Sequence, residues 1–207
     1  MASVWGPMGW ITLHSIAAAY PDEPTQEMRS ITSSFLEKFA ETITCPHCKT
    51  HFSRMLAVYQ SSHPDFLNNR RNFFLFTVRA HNTVNKRLDK PILQTVSECL
   101  ETLRNATKNV SPSQFRINYF SYVARNWIHE LGGDGRINFN ITNDMKKLNT
   151  TFFSQTNDEF DKEIEEGDVL ELIEDTRNIR FSTVLSRYVA TSPDVGFKGG
   201  RLKLKRT

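Results

Sequence analysis

The pattern that most constrains this chain is a pair of cysteines set directly after a helical repeat of apolar residues. Phe35, Phe39 and Ile43 recur every four residues, and Cys45-Pro46-His47-Cys48 follows at once. Two cysteines separated by two residues at a helix start lie close enough to close a small disulfide ring, and the positive end of the helix stabilises a thiolate there. A disulfide in that position is readily exchanged. Thr44 is the expected N-cap, and Pro46 suits the first turn, where its missing N–H costs no helical hydrogen bond. The helix then runs to about Gln60.

Spacing alone leaves three chemistries open. A structural zinc site could draw on Cys45, Cys48 and His51, but its second half is missing, since the only other cysteine is Cys99. A thioredoxin-like site needs a buried strand just before the motif, and the residues there have helical spacing. The third chemistry is a dithiol oxidase whose disulfide is regenerated by a bound cofactor. Cys99 itself reads as a small buried hydrophobe, on the apolar side of a helix with Ile92, Val96, Leu100 and Leu103.

The remaining bounds are permissive. With 207 residues, 39% hydrophobic and 24% charged, the chain has room for one full domain and a smaller second one. A net charge of +3 is too small to argue for nucleic acid, and the basic run from Lys198 to Arg206 reads as a solvated tail. Met1 to Pro7 lack the basic start and apolar run of a secretory signal, and no stretch has the length of a membrane span. Three cysteines fall short of a secreted disulfide framework. The expectation is a soluble, cytosolically made protein in which a persistent disulfide is catalytic.

Two segments elsewhere offer walls for a flat ligand. A helix opening at Gly6-Pro7 and ending before Pro21 puts Trp10, Leu13, His14 and Ala17 on one face. A second helix starts near Pro24-Thr25 and leads to the cysteines. The fourth runs from about Asn69 to Leu88, and its apolar stripe of Phe74, Val78, Val84 and Leu88 is interrupted by His81 and Asn85. Buried polar groups need partners, so these two bond to neighbouring helices or face something polar held between them. Lys86, Arg87 and Lys90 follow closely and suit a phosphate-bearing ligand as well as they suit solvent.

Taken together, Trp-x-x-x-His, Cys-x-x-Cys and His-Asn-x-Val-Asn-x-x-Leu-x-Lys-Pro, in that order, resemble the Erv/ALR family of FAD-linked sulfhydryl oxidases over roughly residues 5 to 103. The resemblance implies a mainly α fold, a four-helix bundle with a short fifth helix that holds FAD noncovalently. It implies that Trp10, His14, His81, Asn82, Val84, Asn85 and Leu88 line the flavin site, with Gly6 close by and Lys86 or Lys90 near the phosphates. It also implies that Cys48 is the sulfur beside the flavin and Cys45 the outer one, which takes electrons from thiol-containing protein substrates on their way to O2. The expected partners are thus thiol proteins, O2 and a second copy of the chain as a homodimer, with no nucleic acid and no membrane. The second cysteine pair of many cellular members is absent, so the chain looks more like the compact forms encoded by large DNA viruses, which act in the host cytoplasm and the virion. A bundle that kept the fold but serves only as an assembly module is the rival reading.

The resemblance ends at a polar linker containing Pro112, which gives an FAD-binding domain over 1–108 and a mostly helical C-terminal domain over 109–207 for partner recognition or dimer support. There Phe120, Val123, Trp127 and Leu131 form one clear helical face ended by Gly132-Gly133. Ile137, Phe139 and Ile141 alternate as a short strand would. Helical patterns are expected around Met145 to Phe153, Phe160 to Ile173 and Val184 to Val189.

Overall fold

A computed structural model of the chain describes residues 2–43, 45–130, 143, 145–146, 149 and 163–173. Among the described residues, six helices follow one another: α1 (Ala2–Ala18), α2 (Gln26–Glu41), α3 (Pro46–Ser62), α4 (Arg70–Arg87), α5 (Val96–Ala106) and α6 (Pro112–Glu130). No strand occurs among the described residues, so the fold is mainly α as expected. The stretches with Ile137, Phe139, Ile141, Gly132-Gly133, Val184 to Val189 and the basic tail lie outside the described residues. No helix among the described residues is long and apolar enough to cross a membrane.

Caps explain where the helices begin. The Thr25, Asn69 and Thr95 side chains each accept the N–H three residues ahead, at Met28, Asn72 and Glu98. At α3 the cap is Cys45, whose sulfur accepts the Cys48 N–H at 3.3 Å, rather than the expected Thr44. Helix α1 starts at Ala2 instead of Gly6-Pro7, with Pro7 inside it at the cost of one backbone hydrogen bond.

Helices α1 and α4 form the centre. Leu13, Ile16 and Ala17 of α1 are fully buried, and α4 is buried almost all round through Phe73, Phe74, Phe76 and Val78. Helix α1 packs on α4, α5 and α6, while α3 packs on α2 and α4. Gly9 permits the α1–α6 approach, because a Cβ there would meet the Tyr119 hydroxyl at 3.0 Å and the Phe39 ring at 3.6 Å.

The core does not stop where the polar linker suggested. Tyr119, Phe120 and Val123 of α6 are buried, and Phe120 meets Phe35 edge-on with centroids 6.1 Å apart. The first compact unit spans Met1–Asp175, beyond the expected boundary at 108.

Residues 163–173 correct a second expectation, since they form an extended strap along α4 instead of a helix. Their carbonyls are drawn off by α4 side chains. Arg70 donates to Glu163 O, Arg71 to Glu165 O and Glu166 O, Arg79 to Asp168 O, and Asn82 to Val169 O. Helical hydrogen bonds would compete for the same carbonyls. Ile164, Val169 and Ile173 point into the core, and the Glu166 carboxylate caps α5 by accepting from Val96 N, Ser97 N and Ser97 Oγ. Gly167 is needed for close approach, because a Cβ there would lie 2.8 Å from Leu75 Cδ1.

Candidate redox site

Cys45 and Cys48 are joined as a disulfide with Cα atoms 5.2 Å apart, at the first turn of α3. Both are half-buried, but only Cys48 packs against the hydrophobic core. That asymmetry makes Cys45 the outer sulfur. His47 and Pro46 are exposed on the rim, where His47 Nε2 lies 3.4 Å from an Arg87 guanidinium nitrogen. The positive end of the helix dipole lies at these sulfurs, where it stabilises negative charge that develops when the disulfide opens.

One turn along α3 from Cys48, Phe52 touches a cluster of flat rings. Trp10 lies 6.1 Å from Phe52 and stacks on His81 with centroids 4.4 Å apart and planes 9° off parallel. His14 lies one turn after Trp10 on α1 and bonds through Nε2 to His81 Nδ1 at 3.0 Å. Its Nδ1 meets Thr77 Oγ1 at 2.9 Å. Thus α1, α3 and α4 bring Trp10, His14, His81 and the disulfide to one end of the bundle.

Both histidines are held neutral. Burial, and then the neighbouring His81, push the His14 pKa well below its ordinary value. Burial, with Lys90 adding to it, lowers His81 from 6.5 to about 4. The unfolded chain therefore binds more protons than the native one between those two values, so stability rises with pH over that window and levels off above it. Melting temperature should fall between about pH 7 and about pH 5, and His81→Asn should flatten that slope. A wild-type protein equally stable at both values would contradict the neutral pair.

The other residues implied by resemblance divide into two groups. Val84 packs against the core, and Gly6 has open space where a Cβ would stand. Asn82 is fully buried and taken up by backbone: it donates to Leu93 O at 2.8 Å and Val169 O at 2.9 Å, and accepts from Leu93 N at 2.9 Å. Asn85 donates to Pro91 O and ties down the turn through Asp89, whose φ is 54°. Lys86, Lys90 and Leu88 are exposed at that same helix end.

Sequence reasoning missed Thr77 and the strap. A threonine inside an apolar helical run carries no sign of its partner 63 residues away. Cys99 is confirmed as an inert core residue, because burial, and then Glu98, push its thiol up to about 12.

These residues are suited to holding a flat, phosphate-bearing cofactor. The Trp10–His81 stack is half-buried and uncharged, Gly6 one turn before Trp10 leaves open space where a Cβ would stand, and Lys86, Arg87 and Lys90 supply cations at the end of α4.

Residues 7–109 match the model of the Erv1/Alr family. An African swine fever virus protein described as an FAD-linked sulfhydryl oxidase is 37% identical over 90 residues, covering 43% of this chain and 71% of that one. A protein of Invertebrate iridescent virus 6 is 33% identical over 93 residues, 44% of this chain and 84% of its own length. A crystal structure of a double cysteine-to-serine mutant of Erv1 from Saccharomyces cerevisiae is also similar, at 29% identity and a TM-score of 0.41, over 45% of this chain and 76% of that one. The chain belongs to the Erv1/Alr family.

Proposed function

We propose that this protein is an FAD-dependent thiol oxidase that forms disulfides in protein substrates through Cys45 and Cys48. The observation that carries this reading is the exchangeable disulfide at a helix N-terminus, one turn from the Phe52–Trp10–His81 ring cluster.

A substrate thiolate attacks Cys45, the outer sulfur; the Cys45–Cys48 bond breaks, and Cys48 leaves as the thiolate. A second substrate thiolate then attacks the mixed disulfide, so the substrate gains a disulfide and the protein is left with two thiols. Bound FAD would supply the two-electron acceptor needed to return the dithiol to the disulfide, with O2 as the final acceptor and H2O2 as its product. Cys48 hands over those electrons from its place against the core. Trp10 and His81 would hold the ring system, with His14 fixing His81, and Lys86, Lys90 and Arg87 would neutralise phosphate charge. Val84 and Gly6 shape the remaining wall. Asn82 acts by fixing Leu93 and the strap, and Asn85 with Leu88 by shaping the turn after α4.

The substrates are proteins bearing thiols, reached directly by Cys45, in the host cytoplasm of a large DNA virus. Residues beyond 108 guide those substrates or support a homodimer. The absorbance spectrum of the purified protein, read alongside oxygen uptake with a small dithiol, tests this proposal. A yellow protein that consumes oxygen supports it. A folded, colourless protein without uptake would leave the assembly-module reading in its place.

A further inference from the structure

The hydrogen bonds behind the ring stack run in one direction, and their direction is fixed at Thr77. Thr77 Oγ1 lies 2.8 Å from the Phe74 carbonyl oxygen in the same helix and 2.9 Å from His14 Nδ1. Two oxygens at 2.8 Å need a hydrogen between them, and the carbonyl has none, so the hydroxyl hydrogen points at Phe74 O. Toward His14 the hydroxyl then has only lone pairs. His14 must carry its hydrogen on Nδ1, and its Nε2 accepts.

The next step follows from the same inventory. His14 Nε2 is 3.0 Å from His81 Nδ1, so His81 carries its hydrogen on Nδ1 and donates inward. Its Nε2 is left with a lone pair. Among the described residues that nitrogen has no protein partner, and it is not among the enclosed orphan atoms, which are Thr12 Oγ1 and Asn149 Nδ2. It is open to whatever enters beside the Trp10–His81 stack.

We propose that Thr77 is a positioning residue which, through His14, makes His81 Nε2 a fixed hydrogen-bond acceptor, so that the ligand edge meeting it is an N–H or O–H donor. The inference rests on the proposed FAD site for the identity of the ligand, but not for the direction of the chain. Nothing charged is needed, because both imidazoles stay neutral around neutral pH. A Thr77→Val side chain keeps the shape and removes the only group that commits His14 to one tautomer. Thr77→Ser keeps the hydroxyl.

Histidine 15N NMR on the full-length purified protein reads the tautomers, and flavin fluorescence titration reads the FAD Kd. The expected result is Nδ1–H on both His14 and His81 in wild type and Thr77→Ser. In Thr77→Val that pattern should be lost, and the Kd for FAD should rise about tenfold, the size of one hydrogen bond, with Thr77→Ser within about twofold of wild type. Wild-type His81 protonated on Nε2, or a Thr77→Val protein with unchanged tautomers and Kd, would overturn the proposal. A wild-type protein without affinity for FAD would refute the cofactor reading alone, and the NMR pattern would still decide the role of Thr77. If Thr77→Val does not fold, the wild-type and Thr77→Ser tautomers decide it.

Discussion

Cys48→Ser is expected to lower dithiol oxidation by at least about a thousandfold while leaving the flavin bound, because the two sulfurs act as one unit and neither half of the exchange proceeds without both. The structure separates their tasks. Cys48 packs on the core one turn before Phe52, which touches Trp10, whereas Cys45 stands at the cap of α3. Cys45→Ser should be equally inactive but should add a long-wavelength absorption band, the signature of a free Cys48 thiolate beside flavin. Cys99→Ser should keep the wild-type rate, since the Cys99 thiol is buried and held protonated. Oxygen uptake with a small dithiol, together with the visible spectrum of each variant, measures all three. Full activity in either Cys45→Ser or Cys48→Ser would refute the exchange mechanism.

The second large effect concerns chain length. A fragment of residues 1–108 lacks Tyr119, Phe120 and Val123 of α6 and Ile164, Val169 and Ile173 of the strap, all of them buried. Each such side chain contributes about 1.5–3 kcal/mol when buried, so the loss is on the order of 10 kcal/mol against a total stability of about 5–15 kcal/mol. The same cut strips Asn82, Thr83 and Arg79 of the partners Val169 O, Ile173 N and Asp168 O. The fragment should show no cooperative thermal transition. A chain ending at Asp175 should keep one, with flavin bound. Thermal unfolding followed by circular dichroism checks both. A 1–108 fragment melting within about 5 °C of the full chain would show that the bundle is self-sufficient.

The cut also marks where sequence reading ran out. Helical spacing located α2 to α4 closely, and Thr25 and Asn69, which cap α2 and α4, are local signals that act within three residues; the cap of α3 at Cys45 and the start of α5 at Val96 were not read from the sequence. Part of the ring cluster was legible for a related reason: Trp10 and His14 lie one turn apart on a single helix. The strap was not legible. Ile164, Val169 and Ile173 also fit a helix, and what defeats the helix is the set of arginines on α4, about 90 residues earlier in the chain. Asn82 shows a similar limit, since the motif suggests contact with a cofactor whereas its amide is occupied by the Leu93 and Val169 backbone. The polar stretch before Pro112 looked like a domain boundary because a linker and a surface turn share one composition.

The central claim is that electrons from substrate thiols pass through Cys45 and Cys48 to a bound flavin. Anaerobic titration of the purified protein with a small dithiol tests it most directly. The visible flavin band should bleach with about one equivalent of dithiol and return when air is admitted, with H2O2 formed. A flavin band that stays unchanged in excess dithiol, while the Cys45–Cys48 disulfide is reduced, would contradict the account.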